Sequence, residues 1–105
     1  MTTTLNVTEL KARLATGDVQ LLDVRTAEEL EQASLPGALH IPMQELPGRL
    51  AELNPGRPIA VLCHHGVRSE MAARFLERNG FSAVFSVAGG IDAWSTQVDP
   101  AVPRY

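Results

Sequence analysis

Hydrophobic residues follow two alternating patterns along this chain. Mostly continuous apolar runs at residues 19–24, 59–62 and 81–87 predict buried parallel strands, because a strand covered on both faces carries few polar residues. Between these runs, apolar residues recur every three or four positions, as on one face of a helix, most clearly over residues 69–79. Strands that alternate with short helices predict an α/β domain with a mainly parallel sheet and right-handed crossovers.

The first half of the chain adds shorter elements to this pattern. Residues 5–7 predict a strand, followed by a helix that Thr8 caps and Gly17 ends. Thr26, with a glutamate three residues later at Glu29, matches a capping box and predicts a second, short helix.

The connecting and final segments are less regular. Residues 38–41 predict a short strand, and the apolar spacing from 43 to 53 predicts an irregular turn at 47–48 followed by a regular helix. Residues 91–95 predict a last short helix, and the proline-containing tail from residue 98 is expected to lie extended along the surface.

Composition limits the classes of function. The 105 residues suit one domain, expected to span 1–105, and 45% hydrophobic residues suffice for a core. A net charge of −3 argues against nucleic acid or an anionic membrane as the main partner. The one cysteine excludes an internal disulfide, and the sequence shows no signal peptide or membrane-spanning run, so we expect a cytoplasmic protein.

That cysteine lies in the stretch that carries the chemistry. Cys63 follows the apolar run at 59–62 and precedes the helix predicted at 69–79, where open α/β sheets place their ligand sites. If residues 64–68 curl around the sulfur, their amides form an anion-binding nest that the helix N-terminus reinforces, which favours a nucleophilic thiolate. Gly66 permits a positive φ, and Arg68 adds a planar cation suited to oxyanions.

Other polar residues have competing explanations. A lone cysteine that ends an apolar strand is often a core residue. His64 and His65 are a possible base or metal pair, but adjacent histidines rarely converge on one ion, so we expect them at the pocket rim. Asp23 and Arg25 are either an acid with an anion clamp or a structural ion pair, and we favour the ion pair. Gly89-Gly90 is too weak a signal for a phosphate loop.

Four motifs resemble those of the rhodanese (sulfurtransferase) domain family, in the family's order and over nearly the whole chain. The resemblance implies a three-layer α/β/α domain with a five-stranded, mainly parallel sheet, catalysis by Cys63, and no metal or cofactor. Ser34-Leu35 replaces a Gly-His-Ile that many members carry, and the loop lacks a lysine. The motifs are Leu21-Leu22-Asp23-Val24-Arg25, Pro36-Gly37-Ala38-Leu39-His40-Ile41-Pro42, Cys63-His64-His65-Gly66-Val67-Arg68-Ser69 and Val87-Ala88-Gly89-Gly90-Ile91-Asp92-Ala93-Trp94.

Loop length separates two reactions that such a cysteine supports. Four residues separate Cys63 from Arg68, against five in cysteine-dependent phosphatases, so the cradle is expected to suit a sulfur atom better than a phosphate. The predicted reaction takes sulfur from a small anionic donor such as thiosulfate and passes it to cyanide, a thiol or a partner protein. Residues 64–69 are expected to bind the substrate mainly through their amides, while Arg68 either binds the donor or braces the loop.

Two further hypotheses stay open at this level. A persulfide carrier with incidental thiosulfate activity is suggested by a small domain with an exposed cysteine. A purely structural role requires instead that Cys63 be buried and inert.

Overall fold

The structure, a computed structural model, describes residues 3–105, and over this range strands and helices alternate as the sequence predicts. In chain order the elements are β1 (Thr3–Leu5), α1 (Val7–Thr16), β2 (Gln20–Asp23), α2 (Ala27–Gln32), β3 (Leu39–His40), two 3₁₀-helices (Met43–Gly48 and Leu50–Glu52), β4 (Ile59–Leu62), α3 (Val67–Arg78), β5 (Val84–Val87) and α4 (Gly90–Gln97).

The strands form one parallel sheet in the order β1-β5-β4-β2-β3. Central β4 is buried along its whole length. Its side chains alternate between two apolar cores, with Ile59 and Val61 in one and Ala60 and Leu62 in the other. Residues of α3 and the first 3₁₀-helix belong to the first core, and residues of α1 and α4 to the second, so helices cover both faces. The predicted five-stranded α/β fold is confirmed.

The N-terminal boundaries differ from the prediction. The first strand ends at Leu5 instead of starting there, and Asn6, not Thr8, caps α1. Asn6 Oδ1 accepts from the Glu9 amide at 2.8 Å, while Glu9 Oε1 accepts from the Asn6 amide at 3.1 Å. This reciprocal pair is a capping box, which satisfies two free amides where Thr8 would satisfy one. The capping box predicted at Thr26 is confirmed.

The regular helix predicted after residue 48 is wrong. The chain forms two 3₁₀-helices there, with bonds of the i to i+3 type from the amides of Glu45, Arg49 and Leu53. Pro47 accounts for the first 3₁₀-helix, because proline lacks an amide hydrogen and its ring clashes with the carbonyl four residues earlier. The second ends after three residues at Leu53, which is extended.

The C-terminal tail is more buried than the extended surface segment that the sequence predicts. Val102 and Tyr105 pack, partly buried, against the core that contains α1 and α4. No helix within residues 3–105 is long and apolar enough to cross a membrane.

The sheet brings two polar strand ends together. Asp23 at the end of β2 pairs in register with Leu62 at the end of β4, and Cys63 follows directly. Both candidate groups of the sequence therefore lie at the carboxyl edge of the sheet, where parallel α/β folds place their ligand sites.

Candidate active site

The loop between β4 and α3 turns sharply at Gly66. This residue has φ of 113° and is the N-cap of α3, so the helix starts two residues earlier than the sequence indicates. A side chain at that φ is strained, which explains why glycine occupies the turn. The turn places the N-terminus of α3 beside Cys63.

The sulfur of Cys63 lies under this turn. The Gly66 amide donates to Sγ at 3.0 Å, and the thiol donates to Ser69 Oγ at 3.4 Å. Ser69 also donates to the Gly66 carbonyl at 3.1 Å and lies 2.8 Å from the Ser86 hydroxyl. The sequence predicts that Ser69 acts through its amide, but here its side chain contacts the sulfur.

Cys63 is only 1% exposed. The expectation of an exposed cysteine, which motivates the carrier hypothesis, is therefore wrong. A purely structural role requires that Cys63 be both buried and inert, and its burial meets the first of these two conditions. The second condition, lack of reactivity, depends on whether a small reagent can reach Sγ.

The N-terminus of α4 holds the loop from behind. The Ile91 amide donates to the Cys63 carbonyl at 2.9 Å, and the Asp92 amide donates to the His64 carbonyl at 3.1 Å. In a trans peptide the N–H points opposite to the C=O, so the amides of His64 and His65 point away from α4. Within residues 3–105 neither amide has an acceptor. They are free donors of the kind that an anion nest requires.

Gly90 makes this close approach possible. A Cβ at this position would lie 2.4 Å from the carbonyl oxygens of both Cys63 and His64. Gly89-Gly90, which the sequence analysis rejects as a phosphate loop, thus has a different function: it lets α4 pack directly on the loop backbone.

Arg68 points to a carboxylate of the protein. Its Nη1 and Nη2 donate to Glu29 Oε1 and Oε2 at 2.5 and 2.9 Å. The paired guanidinium holds the pKa of Glu29 far below its usual range, against the effect of burial and with further help from the Tyr105 hydroxyl. Glu29 also completes the capping box of α2, so Arg68 ties the start of α3 to the start of α2.

Asp23 and Arg25 form a buried ion pair beside this network. Both are fully buried, and Arg25 donates to the two Asp23 carboxylate oxygens at 2.9 Å from Nε and 2.6 Å from Nη2. Further donors of Arg25 reach the Ala33 carbonyl at 2.9 Å and the Tyr105 hydroxyl at 2.9 Å. These contacts occupy the guanidinium within the protein.

The histidines of the loop take part in a stack of three rings. His64 lies between His65 and Tyr105, with 3.9 Å between ring centroids on both sides. Burial and the neighbouring His65 lower the pKa of His64. Tyr105 also donates to Glu29 Oε2 at 2.6 Å, so the tail reaches the site, which the sequence analysis missed.

The two histidines, expected at the pocket rim, lie beside a third group with metal-binding atoms. Ligand atoms of His64, His65 and Asp92 lie within 4.8 Å of one another. Among the described residues these three side chains could hold a metal ion. The sequence does not indicate a role for Asp92 here, because Asp92 is distant from His64 and His65 in the sequence. Only the packing of α4 brings it to the loop.

A buried cysteine lies under free amides at a strand-to-helix turn of a parallel sheet, and this arrangement is typical of α/β domains whose loop amides bind anions. The sequence comparison narrows this class. Residues 6–97 match the model of the rhodanese-like domain. The chain therefore belongs to the rhodanese-like domain family.

Individual relatives agree. The chain is 39% identical over 94 residues to a sulfurtransferase of Allochromatium vinosum, covering 89% of this chain and 88% of that one. It is 43% identical over 81 residues to the putative sulfur carrier protein YrkF of Bacillus subtilis, covering 77% of this chain but only 44% of YrkF. A rhodanese-like domain protein of Staphylococcus aureus has a similar structure, with a TM-score of 0.84 at 34% identity over 98% of both chains.

Proposed function

We propose that this protein is a sulfurtransferase that carries sulfur as a persulfide on Cys63. The observation that carries the proposal is the position of Sγ, 3.0 Å from the Gly66 amide at the head of α3, beside the free amides of His64 and His65. The rhodanese-like relatives, one a sulfurtransferase and one a putative sulfur carrier, support sulfur as the transferred group.

The reaction takes two displacement steps. The Cys63 thiolate attacks the outer sulfur of thiosulfate, a new S–S bond forms, and sulfite leaves with the electron pair of the old bond. An acceptor such as cyanide then attacks the outer sulfur of the persulfide, thiocyanate leaves, and the thiolate returns. Each step conserves charge and needs no proton, redox partner or cofactor.

The loop supplies the electrostatic stabilisation. The outer persulfide sulfur carries negative charge, and we assign the amides of residues 64–68 and the N-terminal dipole of α3 to bind it. The Ser69 hydroxyl, now an acceptor from the thiol, can rotate to donate to the thiolate. We assign Asp23 and Arg25 to the support of this edge, because their polar atoms are engaged with each other and with the tail.

Arg68 is proposed as a brace for the loop. Both Nη atoms of Arg68 donate hydrogen bonds to Glu29. Incoming thiosulfate therefore meets an ion pair in place of a free cation. Of the two roles that the sequence leaves open for Arg68, these contacts support the brace. Arg68→Lys should raise KM for thiosulfate only slightly if Arg68 is a brace, and strongly if the guanidinium binds the donor.

A protein acceptor is the second candidate, and an exposed apolar surface favours it. Val67 is 70% exposed and Met71 48% exposed, both in the first two turns of α3, the helix whose N-terminus lies beside Cys63. Exposed apolar residues beside a reactive group suit contact with another protein. On this proposal the domain passes its persulfide sulfur to a protein thiol, and thiosulfate turnover is incidental. Its single free cysteine suits a reducing compartment such as the cytoplasm.

Intact-mass measurement tests the proposal. Incubation with thiosulfate should add the mass of one sulfur atom to the protein, and cyanide should remove it with release of thiocyanate. Cys63→Ala should abolish both steps. Comparing discharge to cyanide, a small thiol and a protein thiol distinguishes the enzyme from the carrier. Efficient hydrolysis of an aryl phosphate without sulfur uptake would instead establish the phosphatase alternative.

Labelling with iodoacetamide at mildly acidic pH tests the structural role. We expect Cys63 to react in the folded protein, faster than a buried thiol opened only by unfolding would. Absence of both labelling and sulfur uptake, with full labelling after denaturation, would show that Cys63 is inert.

A further inference from the structure

Three side chains with metal-binding groups meet on the outer side of the loop. His64 and His65 belong to the loop, and Asp92 to the first turn of α4. The hydrogen bond from the Asp92 amide to the His64 carbonyl, at 3.1 Å, fixes the two segments against each other. Their ligand atoms consequently lie within 4.8 Å of one another, and His65 Nε2 is 4.0 Å from Asp92 Oδ2.

We propose that His64, His65 and Asp92 bind a divalent transition-metal ion of the zinc type. Two imidazoles with one carboxylate form a ligand set that zinc and its neighbours accept, whereas calcium and magnesium prefer oxygen ligands throughout. A second observation is that Nε2 of His64 is buried and has no hydrogen-bond partner. A buried polar nitrogen without a partner is costly, and an ion bound through Nε2 would give this nitrogen one.

The three groups must rotate to meet one ion. The rings of His64 and His65 are stacked with 27° between their planes, so the nitrogen lone pairs run nearly parallel and His65 must turn out of the stack to bind the same ion as His64. Two ligands with bonds of about 2.1 Å lie about 3.4 Å apart around a tetrahedral ion and at most about 4.2 Å apart in other geometries. The 4.0 Å separation of His65 and Asp92 already falls in this range, and the largest separation, up to 4.8 Å, must shorten. The His65 side chain is 62% exposed, so it is free to turn about its χ angles.

Arg104 competes with the ion for Asp92. Its Nε and Nη2 donate to the two carboxylate oxygens at 2.8 and 3.3 Å. The Arg104 side chain is 64% exposed, and an exposed ion pair of this kind is weak. Metal binding therefore displaces Arg104 or shares the carboxylate with it, and removal of Arg104 should strengthen binding.

The test uses the full chain without an affinity tag and two probes, Zn²⁺ and Co²⁺. Titration of Zn²⁺ against a chromogenic chelator should show one saturable ion per chain. His65→Ala and Asp92→Asn should each lower the affinity by more than about tenfold, because loss even of outer-sphere partners costs 10- to 100-fold. Arg104→Gln should raise the affinity. Asp18→Asn, which removes a different exposed carboxylate paired with an arginine, is the matched control and should leave it unchanged.

Three results would overturn the proposal. The first is no saturable binding of Zn²⁺, and the second is binding that survives both His65→Ala and Asp92→Asn. The third concerns the cysteine: a sulfur-to-metal charge-transfer band with Co²⁺ that disappears in Cys63→Ala would place the ion on Cys63 instead. Weak visible bands of nitrogen and oxygen ligation, retained in Cys63→Ala, support the proposed site and are independent of sulfur transfer.

Discussion

The ends of two neighbouring strands, β2 and β4, carry buried polar groups whose hydrogen-bonding capacity is used to different degrees. After β2, Asp23 and Arg25 bond to each other, and the remaining guanidinium donors reach a carbonyl and the Tyr105 hydroxyl. After β4, the sulfur of Cys63 receives one amide, and the next two amides of the loop have no acceptor within residues 3–105. A saturated polar group holds the fold, whereas free donors beside a nucleophile can bind a reactant.

The largest expected effect lies at the saturated strand end. Asp23→Ala leaves the Arg25 guanidinium buried without its carboxylate, and the loss of one partner from a buried pair costs about 3–5 kcal/mol of stability. Urea unfolding followed by circular dichroism measures this loss. Asp18→Ala, which breaks the exposed pair with Arg13, should cost at most about 1 kcal/mol.

Cys63→Ala should give the reverse pattern, with sulfur uptake abolished and a smaller loss of stability than in Asp23→Ala. The contrast between the two strand ends would fail if Asp23→Ala unfolded no more easily than Asp18→Ala. If Asp23→Ala does not fold at all, Asp23→Asn, which keeps an acceptor for Arg25, provides the measurable variant.

Gly90→Ala tests whether the loop depends on the close approach of α4. The new Cβ would lie 2.4 Å from two carbonyl oxygens, at φ of 60°. Overpacking costs about 1–3 kcal/mol and the left-handed conformation about 1–2 kcal/mol, so we expect a loss of about 2–5 kcal/mol together with slower sulfur uptake.

Gly37→Ala separates these two contributions. Gly37 has φ of 82° but no atom within 4 Å of its Cβ position, so only the conformational cost applies. Unfolding and sulfur-uptake rates of both variants decide the question. Equal losses of stability, with uptake intact in Gly90→Ala, would mean that the packing of α4 does not shape the loop.

The sequence predicts local features well and long-range polar contacts poorly. The parallel sheet, the capping box at Thr26 and the position of Cys63 follow from nearby residues. The start of α1 shows the limit of such patterns, since two capping candidates, Asn6 and Thr8, lie two residues apart and only Asn6 forms the capping box with Glu9.

Contacts between distant segments had no comparable signal. Tyr105 is far from Glu29 in the sequence, and nothing near either residue indicates the bond between them. Ser86 offers one signal that could have been used, because it is a single polar residue in the apolar strand β5 and a buried hydroxyl needs a partner. That partner is Ser69, at 2.8 Å.

Ser69→Ala should slow sulfur uptake by Cys63 without disturbing the fold. The hydroxyl contacts Sγ, and a hydrogen bond to a charged group contributes about 1.5–3 kcal/mol, equivalent to about 10- to 100-fold in the rate of sulfur uptake. Single-turnover mass spectrometry with thiosulfate measures this rate. Ser95→Ala removes another buried hydroxyl, bonded to the Ile91 carbonyl at 3.1 Å, and should match it in stability but not in rate. Equal rates in the two variants would remove Ser69 from the reaction.

The last prediction concerns the residue that joins the two strand ends. Tyr105 contacts Arg25 and Glu29, and burial, with the bond to Glu29, raises its pKa to about 12. Because this tyrosine is the only one in the chain, its absorbance change on ionisation reports the site directly. The stabilisation from the neutral hydroxyl is complete below the ordinary pKa of about 10 and is lost as the pH rises towards 12. Glu29→Gln should bring the midpoint back towards 10, because it removes the negative partner. A midpoint near 10 in the native protein, with circular dichroism unchanged, would show that Tyr105 is not held between the two groups.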